Sequence, residues 1–165
     1  MNSAGGTDGA PDGRRASDAR GSAAEEVADE GADGARGPVR AVVAGHADFA
    51  TGMISAVALI TGRADAYVAM SNRDLGADEI ERQMRVVVRE SGARVVFTDL
   101  PGGSCTLAAR RVARDTPELT VVTGVNLAVL LDFVFHTEAS GEDAASAAVR
   151  RGRDALLVFG GAGGR

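Results

Sequence analysis

Val39-Arg40-Ala41-Val42-Val43-Ala44-Gly45-His46 is a short, nearly uninterrupted apolar run that ends on a glycine and a histidine. Such a run, followed by turn residues, reads as a strand buried on both faces. Its histidine then stands at the strand's C-terminal tip, the end at which open α/β sheets carry their chemistry. The residues that follow, 47–52, turn the chain into a helix.

Outward from this strand the pattern repeats. Phe49, Met53, Val57 and Ile60 recur at helical spacing and predict a helix over residues 49–61, stopped by Gly62. Residues 66–70 read as a second strand, and Ser71-Asn72-Arg73-Asp74 as a polar loop. Asp74 or Gly76 opens the next helix, whose stripe is Ile80, Met84, Val87 and Val88 and whose end is Gly92. Residues 94–99 form a third strand with Asp99 at its tip. The turn Leu100-Pro101-Gly102-Gly103-Ser104 leads into a helix over residues 105–114. Residues 119–123 are a fourth strand. Asn126 caps a helix with the stripe Leu127, Leu130, Leu131 and Val134. The last helix runs from Gly141 to about Phe159, or gives way to a short apolar strand at residues 156–159.

Strand–helix alternation of this kind predicts an α/β fold: an open, doubly wound, mainly parallel sheet with helices on both faces. The expected strand order is the flavodoxin-like 2-1-3-4. The chain then reverses direction between the first and third strands, opening a crevice above their carboxyl ends. His46 and Asp99, far apart in sequence, meet there.

Composition bounds the rest. Hydrophobic residues make up 45% of the 165-residue chain, enough for one packed core. Aromatics are only 4% and Trp is absent, so the core is expected to be aliphatic. Residues 1–38 hold eight acids, four Arg and hardly a large apolar side chain, which predicts a disordered tail. The domain proper is expected over residues 39–160, with a frayed glycine-rich end at 161–165. All 18 basic residues are Arg, so no catalytic Lys is available. The net charge of −5 offers no basic field for nucleic acid. No apolar run is long enough to span a membrane, and a single Cys allows no internal disulfide; both fit a cytoplasmic protein. Two His and one Cys without ligand spacing predict no metal site, and no cofactor is called for.

A carboxylate beside a histidine accepts the Nδ1 proton, fixes the tautomer and leaves Nε2 free as nucleophile or base. The adjacent Gly102-Gly103-Ser104 turn at a helix N-terminus supplies exposed N–H groups, a favourable dipole and a hydroxyl. Together these point to a histidine that accepts a phosphoryl group.

Four segments carry a resemblance. Val43-Ala44-Gly45-His46-Ala47-Asp48-Phe49-Ala50-Thr51-Gly52, Ile60-Thr61-Gly62, Phe97-Thr98-Asp99-Leu100-Pro101-Gly102-Gly103-Ser104 and Thr123-Gly124-Val125-Asn126-Leu127 stand in the order and spacing of one family. The chain resembles the enzyme IIA component of the mannose/fructose/sorbose type of the bacterial sugar phosphotransferase system, over residues 39 to about 158. The resemblance implies a cytoplasmic homodimer that takes phosphate from phospho-HPr onto His46. It implies transfer onward to an enzyme IIB, expected here as a separate protein, and indirect association with a membrane IIC/IID permease. Asp99 would bond Nδ1 of His46, and Gly102, Gly103 and Ser104 would bind the phosphate. Cys105 stands where the family usually has Pro. The alternative within this family is a regulatory phosphocarrier with no transport role.

Rival readings are weaker. A receiver domain needs an acidic pair after the first strand and a Lys; neither is present. A flavodoxin-like cofactor module wants aromatic loops. A Cys105 nucleophile served by His46 is the sharper rival, because a thiol at a helix N-terminus can have a lowered pKa. His136 reads as a favourable helix C-terminal residue. Arg73 is placed to face the crevice, and Arg110 and Arg111 to line a solvated helix or a partner surface.

Overall fold

The computed structural model describes residues 40–137 and 139–160. The expected disordered tail, residues 1–38, and the expected frayed end, residues 161–165, lie outside the described residues.

Four strands, β1 (Ala41–Gly45), β2 (Tyr67–Ser71), β3 (Val95–Thr98) and β4 (Thr120–Thr123), form one all-parallel sheet in the order β2-β1-β3-β4. The expected topology holds. Five helices cover it: α1 (Phe49–Thr61), α2 (Ala77–Ser91), α3 (Ser104–Arg114), α4 (Leu127–Phe133) and α5 (Gly141–Asp154). β1 is buried along its whole length, as its apolar run requires. Its alternate side chains feed two cores. Ala41 and Val43 join Val95 and Phe97 beneath α1, α4 and α5, while Val42 and Ala44 join Val96 beneath α2 and α3. Gly62 and Gly92, both left-handed, end α1 and α2 where expected.

The structure corrects three expectations. The α1 stripe does not extend to Ile60, which is exposed; the helix buries Ala50 and Val57, with Phe49, Met53 and Ile54 partly covered. The core beneath α1 and α4 is not purely aliphatic. Tyr67, Phe97 and Phe133 pack ring on ring with centroids 5.0–6.4 Å apart, and Tyr67 donates its hydroxyl to the Leu130 carbonyl at 2.6 Å. Finally, α5 stops at Asp154 and no strand forms at residues 156–159, whose four apolar side chains stand in solvent. The sequence offers an apolar run, but residues 156–159 make no ladder with the open edge of β4.

Candidate functional site

β1 and β3 are neighbours, so their C-terminal tips lie side by side. That register alone brings His46 and Asp99 together. The Asp99 Oδ2 atom accepts the His46 backbone N–H at 2.8 Å and the His46 Nδ1–H at 2.6 Å. Its other oxygen, Oδ1, accepts the Leu100 N–H at 2.8 Å. Partial burial pushes the Asp99 carboxyl up, but the hydrogen bonds from His46 and Leu100 and the histidine's charge outweigh it. The net pKa lies below the ordinary carboxylate value. An ionised carboxylate only accepts, so in the neutral form of the ring the proton lies on Nδ1 and the Nε2 lone pair is free. The His46 side chain is 53% exposed and Asp99 only 9%, so the ring is open to a partner while its support is shielded.

Gly45 makes this approach possible. A Cβ there would lie 2.6 Å from Phe49 Cδ1 and 2.9 Å from Asp99 Oδ2, where a real side chain does not fit. Ala47, next to the histidine, takes a left-handed φ of 48°, which is unfavourable by about 1–2 kcal/mol for a residue with a Cβ. The Ser71 hydroxyl, at the tip of β2, donates to the Ala47 carbonyl at 2.7 Å and braces that turn.

The glycine turn sits against the ring. A Cβ on Gly103 would lie 3.5 Å from His46 Cε1, so the N-terminus of α3 abuts the imidazole. Gly103 occupies the N-cap position and no side chain caps the helix, leaving its first N–H groups without an intrahelical partner. Two buried hydroxyls hold this turn: Thr106 donates to the Leu100 carbonyl at 2.6 Å and meets Thr98 at 2.5 Å. Uncapped N–H groups and the dipole of α3 are the features by which helix starts favour anions, and the Ser104 hydroxyl lies in the same first turn.

The remaining candidates separate cleanly. Cys105 is fully buried in the core beneath α2 and α3, and burial together with the charge of Asp99 pushes its thiol up to about 11. It is a packing residue, not a thiolate nucleophile. His136 bonds Asp132 at 2.8 Å and offers its carbonyl to Arg40, at the opposite end of β1 from His46. Arg111 pairs with Glu81 at 3.1 Å and Arg110 is exposed on α3. Arg73 does reach the His46 loop, where it pairs with Asp48 at 3.0 Å. Sequence reasoning placed Asn72 only in a polar loop; its side chain reaches Ser104. The expected strand order signals the place of this loop, since the tip of β2 neighbours the tip of β1, but not the bond itself.

The family model described as the phosphotransferase system fructose IIA component matches residues 40–150, about two thirds of the chain. This chain belongs to that IIA family. Membership gives it the general role of a phosphocarrier component of a sugar phosphotransferase system. The IIA fold is shared with solved structures. One is the mannose/sorbose specific IIA subunit from Enterococcus faecalis, with a TM-score of 0.65 at 21% identity, covering 73% of this chain and 94% of that one. Another is the phosphotransferase component EIIA from Streptococcus agalactiae, with a TM-score of 0.67 at 18% identity over 73% and 96%. A third is the IIA protein associated with the fucose utilization operon of Streptococcus pneumoniae, with a TM-score of 0.60 at 21% identity over 72% and 91%. At these identities the likeness is one of fold. A search of curated proteins finds no match. Among the described residues of this IIA protein, no helix is long and apolar enough to cross a membrane.

Proposed function

We propose that His46 is the phosphoacceptor, with Asp99 its orienting carboxylate and Gly102, Gly103 and Ser104 the phosphate cradle. The observation that carries this reading is the 2.6 Å contact between His46 Nδ1 and Asp99, with the uncapped start of α3 against the same ring. The Nε2 lone pair attacks the phosphorus of the donor. A P–Nε2 bond forms as the donor's bond to phosphorus breaks, and the Nδ1 proton stays shared with Asp99. Charge on the phosphoryl oxygens is met by the α3 N–H groups and the Ser104 hydroxyl, so the protein contributes positioning and electrostatics. The donor is phospho-HPr and the acceptor a separate enzyme IIB, which hands the phosphoryl group toward a IIC/IID permease. The protein works as a cytoplasmic homodimer of a domain over residues 39–160.

Incubation with phosphoenolpyruvate, enzyme I and HPr is expected to place one acid-labile, alkali-stable phosphate on the wild type and on His136→Ala, and none on His46→Ala. Undiminished label on His46→Ala would end the assignment.

A further inference from the structure

The tip of β2 spans the crevice and binds both of its walls. On the His46 side, Ser71 holds the Ala47 carbonyl, the Asn72 N–H donates to the Gly45 carbonyl at 3.2 Å, and Arg73 pairs with Asp48. On the α3 side, Asn72 Nδ2 donates to Ser104 Oγ at 3.0 Å. Asn72 and Ser104 are both half-buried, so water competes poorly for this bond.

A serine hydroxyl has one proton and two lone pairs, and its rotor turns to suit its neighbours. An amide N–H arriving at Oγ occupies a lone pair and turns the O–H away from itself. The loop that carries Asn72 is itself fixed: the Leu75 N–H bonds the Asn72 carbonyl at 3.2 Å, and the Asn72 N–H is anchored on the strand that bears His46. The direction of the Ser104 O–H is thereby tied to the position of the imidazole. Pre-set donors of this kind need no reorganisation when charge arrives.

We propose that Asn72 is a positioning residue of the phosphoryl site: by donating to Ser104 Oγ it directs the Ser104 hydroxyl proton toward the phosphoryl group on His46. This rests on the phosphohistidine reading above. In this role Asn72 acts through Ser104.

A double-mutant cycle on the full chain tests it, using single-turnover transfer from phospho-HPr and the 31P resonance of the phosphohistidine. Asn72→Ala and Ser104→Ala are each expected to slow transfer about tenfold, the size of one lost hydrogen bond of roughly 1.4 kcal/mol. The double variant should be no slower than the worse single one, and both single variants should move the 31P resonance in the same direction. Asn72→Leu, close in shape but without a donor, should slow transfer as much as Asn72→Ala; wild-type transfer by Asn72→Leu alone would mean that the smaller side chain merely loosens the loop, and would overturn the inference. Wild-type transfer by both Asn72 variants overturns the inference, as do losses that multiply in the double variant. A wild type that takes up label while these variants fail the cycle overturns this inference alone; a wild type that takes up none overturns the phosphohistidine reading and the inference with it.

Discussion

Asp99 uses one oxygen twice, and the two bonds divide the work. The bond from the His46 backbone fixes the carboxylate against β1, and the bond from Nδ1 fixes the ring. Asp99→Asn keeps the shape, so the fold should survive, but one amide cannot serve all three N–H groups: an oxygen in the Oδ2 place sets the NH2 against the Leu100 N–H, and an NH2 there loses both His46 bonds. The carboxylate charge that supports the ring is lost either way, and single-turnover transfer should fall by about 10²–10⁴. Acid sensitivity follows from the same bonds. A carboxylate whose folded pKa is depressed contributes stability that is fully present above its unfolded value of about 3.9, and that is lost as pH falls through the folded value. The stability gap between wild type and Asp99→Asn should therefore be widest above roughly pH 5 and close only as pH falls through the folded value, below about 3.9, which denaturant melts at several pH values will measure. Gly45 is the third member of the site. Gly45→Ala places a Cβ against Phe49 and the Asp99 carboxylate, so it should cost about 1–3 kcal/mol and slow transfer together. A variant that loses neither would show that the backbone moves freely here. Gly45 and Asp99 could be read from the chain because a strand-tip position is a matter of pattern. The bond from Asn72 to Ser104 could not, because it depends on how far one loop side chain reaches.

At the scale of elements, the joint between α4 and α5 shows where pattern stops and fit begins. Asn126 caps α4 by accepting the Val129 N–H at 3.1 Å, as its residue type predicts. Its amide also donates to the Gly152 carbonyl at 2.8 Å, which ties the start of α4 to the last turn of α5. α5 approaches closely because it presents Ala144, Ala145, Ala148 and Gly152. A Cβ on Gly152 would overlap Val129 Cγ2 and crowd Asn126 Oδ1. Gly152→Ala, usually stabilising in a helix, is therefore expected to destabilise the protein by about 1–3 kcal/mol. A raised melting temperature would refute that packing. The period of 3.6 gave away α1, α2 and α4, the turn at Gly102-Gly103 gave away α3, and four apolar runs gave away the strands. What period cannot give is depth. Ile60 keeps the spacing of the α1 stripe yet lies in the last turn, where its side chain is exposed. Tyr67, Phe97 and Phe133 come from β2, β3 and α4, and only the assembled topology stacks them.

The described domain has two unlike ends. The C-terminal tips of the strands carry His46, Asp99 and the start of α3. At the other end Arg40 stacks on Phe133 at 4.7 Å and donates to the carbonyls of Phe133 and His136. The sheet is less finished sideways. Among the described residues the outer edge of β4 pairs with no strand, and Leu156, Leu157, Val158 and Phe159 are 66–97% exposed nearby in sequence to α5, which packs on β4. An open edge and a solvated apolar run are both liabilities for a monomer. Two copies bring eight such side chains, each contributing about 1.5–3 kcal/mol when fully covered, against an association cost of about 4–15 kcal/mol. The gross gain is enough to hold the homodimer of the proposed function, and it resides in a segment that lends no side chain to the His46 site. The expected outcome is specific: Leu157→Glu with Phe159→Glu should convert a dimer to a monomer in analytical ultracentrifugation, while His46 still takes up phosphate. A wild type that sediments as a monomer, or a double variant that remains dimeric, would place the interface elsewhere or remove it.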